Sequence, residues 1–107
     1  MEDLIMLAFK IISDGGDASA KFLTAIQNAE DGDFESAENN LKEGQASLVL
    51  AHKIQFDLLQ KEVSGETTEY SLLMVHAQDH LMNAILLKDL AHSIVRLNKK
   101  VAELSFK

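Results

Sequence analysis

The stretch Ser71-Leu72-Leu73-Met74-Val75-His76-Ala77-Gln78-Asp79-His80-Leu81-Met82 places two imidazoles, a carboxamide and a carboxylate within five residues, in the most apolar part of a 107-residue chain. On a helix, His76 and Asp79 are three apart and His76 and His80 four apart, so all three project from adjacent positions on one side. Inside an apolar helix an unpaired Asp79 carboxylate is costly and must meet a cation, a proton or hydrogen-bond donors. Three chemistries suit this pattern. The four groups can form a self-satisfied polar cluster in a helical bundle. Two His at i and i+4 can ligate one zinc, with Asp79 or His52 as third ligand. A neutral His can also act as a nucleophile that accepts a phosphoryl group on nitrogen and passes it on, because that linkage is labile. A nucleophilic His must be reachable by a partner protein and should lie in a groove. Spacing alone does not choose among the three.

The elements that must position these groups are long helices. The chain has no Pro, no Trp, no Cys and only five Gly, so little punctuates it. Leu4, Ala8, Ile11, Gly15, Ala18, Phe22, Ala25 and Ala29 alternate by fours and threes, one face of a helix of about 28 residues, roughly 42 Å long. Gly15 and Gly16 weaken it by about 2 kcal/mol; the phase survives across them, so a continuous helix is expected, with room for a neighbouring backbone. Asp31-Gly32-Asp33 is the first break, with Gly32 suited to a left-handed helix end and Asp33 to capping the next helix. Phe34, Ala37, Leu41, Gly44, Leu48 and Ala51 continue the pattern through Ile54, Leu58 and Leu59 towards Val63. Ser64-Gly65-Glu66-Thr67-Thr68 is the second break.

Glu69 to about Leu104 reads as the third helix. A central stripe runs along Leu72, His76, Asp79, Asn83, Leu86, Leu90, Leu97 and Val101. A second runs beside it along Leu73, Ala77, His80, Ala84, Leu87, Ala91 and Ile94. From residue 70 to 87 this helix is apolar nearly all round, which is the signature of burial on most faces. Two partner helices would leave part of it wet, and the excess points to oligomerisation through this helix. Strand-like alternation is absent. The expected fold is all-α, an antiparallel up-down-up three-helix bundle with short loops, forming a single domain over residues 1–107.

Seventeen acids against ten bases give a net charge of −7, which argues against nucleic acid and against an anionic membrane surface. The densest basic group is Arg96, Lys99 and Lys100. No Cys means no disulfide, thiolate metal site or Cys nucleophile. Met1-Glu2-Asp3-Leu4 lacks a basic leader region, and no apolar run reaches the ~18 residues of a spanning helix. A cytoplasmic protein without membrane insertion is expected.

Val75-His76-Ala77-Gln78-Asp79-His80-Leu81-Met82 resembles the signature of the IIA component of the lactose/cellobiose class of the bacterial phosphoenolpyruvate-dependent sugar phosphotransferase system. Gly16-Asp17-Ala18, Ala29-Glu30-Asp31-Gly32-Asp33-Phe34, Ala51-His52, Ser64-Gly65-Glu66 and Leu87-Lys88-Asp89-Leu90 look like further landmarks of the same family, so the resemblance spans essentially the whole chain. It implies a three-helix subunit assembling as a homotrimer. It implies that His76 takes a phosphoryl group from the phosphohistidine of the carrier HPr and gives it to a cysteine of the cognate IIB component during uptake of lactose, cellobiose, chitobiose or a related β-glucoside. It implies that Asp79 meets its symmetry mates on the three-fold axis around one divalent cation per trimer, magnesium, since hard cations prefer oxygen ligands. His80 and Gln78 are candidate supporting groups: His80 hydrogen-bonds near His76 or packs at the interface, and Gln78 donates to a phosphoryl oxygen or serves as an interface polar group. His52 and His92 read as structural or exposed, and Met74 and Met82 as interface packing. The alternative is a non-catalytic metal-binding helical bundle using His76, Asp79 and His80.

Overall fold

A computed structural model describes residues 2–66 and 71–105 of the chain. Three antiparallel helices, α1 (Glu2–Glu30), α2 (Phe34–Val63) and α3 (Leu72–Ser105), form a rod of 60 × 21 × 19 Å. α1 lies between the other two and packs along both, while α2 and α3 meet more sparingly. The core is built on the small residues of α1. Ala8, Ile11, Ala18, Phe22, Ala25 and Ala29 are buried there against Ala37, Leu41, Leu48 and Ala51 of α2 and against Ala77, Leu81, Ala84, Ala91 and Val95 of α3. Small side chains on the central helix let both neighbours approach closely, and Phe22, Ile11, Leu81 and Val95 fill the space between.

Both turns are glycine-terminated helix ends. Gly32 adopts φ +82° and Gly65 φ +95°. Gly32 N donates to Ala29 O at 3.1 Å and Asp33 N to Asn28 O at 2.8 Å; Gly65 N donates to Glu62 O at 3.2 Å and Glu66 N to Lys61 O at 3.0 Å. Each pair of bonds satisfies carbonyls that the helix end would otherwise leave open, and the left-handed residue that makes them possible favours Gly. The Asp33 carboxylate then accepts from Ser36 N at 3.1 Å and caps α2; the Ser36 hydroxyl, and after it that amide, hold its carboxyl below the usual range. Cross-links between helices are few. Asn40 donates to Asn28 at 2.8 Å, Lys21 pairs with Glu43 at 3.0 Å, and Lys99 reaches Glu38 at 2.6 Å. The Lys99 contact holds the Glu38 carboxyl below its usual range.

The glycines of α1 and α2 play different parts. α1 is continuous through Gly15 and Gly16, as the unbroken phase suggests. A Cβ on Gly15 would sit 3.8 Å from the backbone carbonyl of His80, so α3 does approach there, at ordinary contact distance. Gly44 is the tight position: a Cβ there would lie 2.7 Å from the Phe22 ring.

The expected faces of α3 need correction. Leu72, His76, Asp79, Asn83, Leu86, Leu90, Leu97 and Val101, taken as central, all face outward, and the core side is Leu73, Ala77, His80, Ala84, Leu87, Ala91 and Ile94. Among the described residues no polar or charged residue is buried, so the Asp79 carboxylate is exposed in the single chain. The physical reason is that α1 offers one narrow face of small residues, which covers one side of α3 and leaves the other open. The expected start of α3 at Glu69 lies outside the described residues. Leu59 and Val63, expected on the inner face of α2, are exposed.

The two kinds of glycine should respond oppositely to a methyl group. Gly16→Ala, in a helix with nothing within 4 Å of the new atom, should stabilise by about 0.5–1 kcal/mol through helix propensity. Gly44→Ala must displace the Phe22 ring in a filled core and should destabilise by roughly 1–3 kcal/mol. Urea unfolding of the two variants measures both; equal shifts of the same sign would contradict the packing at Gly44.

Candidate functional site

α3 begins with a side-chain cap that the sequence reading passed over. Ser71 Oγ accepts from Met74 N at 3.1 Å, and Ser71 O accepts from Val75 N at 3.0 Å. A Ser immediately ahead of an apolar helix is the signal that would have found it. The cap fixes the first turn, and His76 stands one turn further on. Ala77, Leu81 and Ala84 are fully buried and Gly15 backs onto His80 and Leu81, so the rotation of α3 about its own axis is set at this level.

That rotation brings His76 and His80 together. Their Nε2 atoms are 3.0 Å apart, and the rings meet edge to face with centroids separated by 4.5 Å. A carbonyl or carboxylate could accept from either ring, but two Nε2 atoms can bond only if one carries a proton and the other does not. The pair is therefore asymmetric: one ring donates while the other offers its lone pair. His76 is exposed and His80 half-buried. Beside them a shallow cavity of about 430 Å³ is lined by Leu72, Leu73 and His76, an apolar hollow with an imidazole in its wall.

Gln78 does not join them. Two residues on from His76 it points about 200° away around the helix; its Oε1 accepts from Gln55 Nε2 of α2 at 2.5 Å, and its own amide contacts Met74 Sδ at 3.8 Å. The partner Gln55 was not singled out from the sequence, since a lone polar residue on α2 gives no sign of what it faces. His52 is exposed and lines a hollow with Val49 and Ile85. His92 Nδ1 donates to Lys88 O at 2.9 Å, a structural use of the ring. Met74 packs against the core, whereas Met82 is 47% exposed.

Asp79 lies on the outward face between Val75, which is 57% exposed, and Met82, with Leu86 at 59% beyond. A carboxylate in the middle of an apolar stripe is well placed only while water or a cation reaches it. Among the described residues of one chain no three His, Asp or Glu side chains converge to hold a metal, so the single-chain site that His76, Asp79 and His80, or His52, would form is not assembled.

Residues 6–99 match the model of the family described as PTS system, lactose/cellobiose specific IIA subunit. A lactose-specific EIIA component of Lactococcus lactis subsp. lactis is 42% identical over 95% of this chain and 97% of its own length. A cellobiose-specific enzyme IIA from Bacillus anthracis superposes with a TM-score of 0.89 at 38% identity, over 92% of this chain and 90% of that one. The IIA(Chitobiose) of the Escherichia coli phosphotransferase system, solved in complex with HPr, superposes with a TM-score of 0.76 at 28% identity, over 92% and 96%. The chain belongs to the lactose/cellobiose-specific IIA family, whose members are components of the sugar phosphotransferase system. No helix of the described residues is long and apolar enough to cross a membrane.

The His76–His80 bond makes a direct prediction. When both rings are neutral, long-range proton–nitrogen NMR should find them in opposite tautomers, one Nε2 protonated and the other bare. In His80→Ala the His76 ring should lose that fixed partner and its tautomer ratio should change. Two rings in the same tautomer in the intact chain would refute the bond.

Proposed function

We propose that this chain is the phosphocarrier of a lactose-, cellobiose- or related β-glucoside-specific transport system, with His76 as the phosphorylated residue. The observation that carries the reading is an exposed imidazole in the wall of an apolar hollow, held by a second imidazole at hydrogen-bond distance. A nucleophile served by partner proteins must be reachable and oriented, and His76 is both. The relative solved with HPr supports phosphohistidine HPr as the donor, and the family supports a cysteine of the IIB component as acceptor.

The transfer balances without any proton moving. The ring nitrogen of His76 that bears no hydrogen attacks phosphorus while the donor's nitrogen–phosphorus bond breaks, and each imidazole keeps the hydrogen on its other nitrogen. The donor nitrogen regains its lone pair. In the second step the thiolate of IIB attacks phosphorus, the bond to His76 breaks and a sulfur–phosphorus bond forms. His80 is a positioning residue: before transfer its Nε2–H donates to the bare Nε2 of His76, and as that nitrogen attacks phosphorus the hydrogen bond is released and the same N–H donates to a phosphoryl oxygen. Gln78, engaged with Gln55, ties α3 to α2. The reaction takes place in the cytoplasm.

His76→Ala should abolish phosphorylation by phosphoenolpyruvate, enzyme I and HPr with little change in helicity, because an exposed ring contributes little packing. The phosphoryl group on the intact chain should be lost in acid and survive alkali, as nitrogen-bound phosphate does. Undiminished phosphorylation of His76→Ala would move the site, with His80 the next candidate.

The same reading places three copies around the exposed stripe of α3, with Asp79 of each chain at the axis. The donor set fits a hard divalent cation such as magnesium: one carboxylate per chain, without a protein partner among the described residues and flanked by Val75, Met82 and Leu86 that an assembly would cover. When bound, the cation supplies neutralisation of those carboxylates. Without it, unit charges brought to about 4 Å repel by about 4 kcal/mol per pair at an effective dielectric of 20. Chelation at neutral pH should therefore weaken the trimer. Asp79→Leu should make assembly indifferent to chelator and at least as strong, because apolar packing replaces a buried charge, and should leave His76 able to accept phosphate. Analytical ultracentrifugation with and without chelator reads both; a strictly monomeric Asp79→Leu chain would overturn the axial cation.

A further inference from the structure

The flank of α3 that faces α2 carries a second feature, about 18 Å along the helix from His76 at 1.5 Å per residue. A cavity of about 470 Å³ is lined by Gln45, Lys88, Asp89, His92, Ser93 and Arg96. It adjoins, across the shared lining residues Gln45 and Lys88, a hollow of about 220 Å³ lined also by Leu48, Val49, His52 and Ile85. Together they make one groove between the helices, cationic at one end and largely apolar at the other.

We propose that this groove binds a small organic phosphomonoester, with the phosphate between Lys88 and Arg96 and the organic body over Val49 and Ile85. Positive charge is scarce in this chain, which carries a net −7, and Lys21 and Lys99 are neutralised elsewhere, by Glu43 and Glu38. Lys88 and Arg96 are two turns apart on one face of α3 and line the same cavity. Arg96 makes no ion pair among the described residues; its guanidinium donates to Ser93 Oγ at 3.0 Å, which holds it in place and leaves the hydroxyl hydrogen for a ligand. Among the described residues Lys88 has only a long ion-pair contact, 3.7 Å, to an Asp89 carboxylate that is largely in solvent. The two cations match a dianion in charge, and a guanidinium beside a hydroxyl and the Gln45 amide supplies the fan of donors that phosphate oxygens take. His92 is anchored through Nδ1 to the Lys88 carbonyl and stiffens this turn. The volume lies in the range of small-molecule sites.

Amide NMR of the full chain, titrated separately with glucose 6-phosphate, inorganic phosphate and glucose, tests this. Saturable shifts should centre on Gln45, Lys88, Ser93 and Arg96 with glucose 6-phosphate, spread weakly with inorganic phosphate and be absent with glucose. Lys88→Gln and Arg96→Gln should each weaken binding about tenfold, the loss of one charge-assisted contact, while Asp89→Asn should tighten it by removing the competing carboxylate. None of the three should disturb folding, because the only ion pair lost is long and exposed. Absence of saturable binding, shifts centred on His76, or an affinity indifferent to all three substitutions would overturn the site. Equal affinity for inorganic phosphate would overturn the assignment of the organic body to Val49 and Ile85.

Discussion

From Leu72 to Leu87 α3 carries apolar side chains around most of its circumference, and α1 with α2 can reach only part of it. α1 covers the line through Ala77, Leu81, Ala84, Ala91 and Val95, and α2 reaches the flank at Gln78 and Ile85. Leu72, Val75, Met82, Leu86, Leu90, Leu97, Val101 and Leu104 are left in solvent, a stripe about 48 Å long at 1.5 Å per residue. Apolar exposure over that length, interrupted at Asp79, Asn83, Ser93 and Lys100, is more than a lone small domain ordinarily shows. The burial that the single chain leaves unmade is the driving force the proposed assembly would use. It also explains why Asp79 is placed where it is: a carboxylate inside such a strip opposes association until its charge is met.

The rotation of α3 that creates the stripe also creates the site. Because Ala77 and Leu81 face inward, His76 and His80 fall on the shoulder between core and stripe. His76 is then in solvent while His80 is half-covered and backed by α1 at Gly15. The more covered ring holds the more exposed one. Had α3 turned by one residue, the pair would have been sealed in the core or moved onto the stripe, and the imidazole would have been unreachable or unsupported. The reachable nucleophile therefore depends on the same small-residue packing that stabilises the bundle.

Much of this can be read from the residues alone, and the limits have physical causes. The inner face of α1 from Ala8 to Ala29 is legible because its small and apolar residues keep one phase of fours and threes along the helix, and both turns are legible because Gly32 and Gly65 stand where a left-handed residue is required. α3 resists the same treatment. A helix apolar all round has two equally plausible inner faces, and the choice falls to the shape of α1, which no local pattern in α3 encodes. The closeness of His76 and His80 follows from their spacing, but the edge-to-face bond between them depends on side-chain rotation that neighbours decide. Gln55, the partner of Gln78, is invisible beforehand because the contact joins residues 23 apart on different helices. Gly44 is similar: its register marks it as inward, yet only the Phe22 ring shows why no larger residue suits it.

In the proposed reaction the phosphoryl group leaves one histidine nitrogen and arrives on another, so the bond broken and the bond formed are chemically alike. The balance of that step is then set by surroundings. Phosphorylation adds about two negative charges to a chain already at −7, and at His76 they fall one helical turn from Asp79, roughly 5–6 Å between Cβ atoms. Repulsion of that kind raises the free energy of the phosphorylated chain and favours onward transfer; His80 as a donor to the phosphoryl oxygens lowers it and favours acceptance. A carrier must do both in turn. The arrangement on α3 sets these two opposing influences side by side one turn on from His76, Asp79 on the stripe and His80 on the shoulder, with the repulsion open to adjustment by whatever neutralises Asp79.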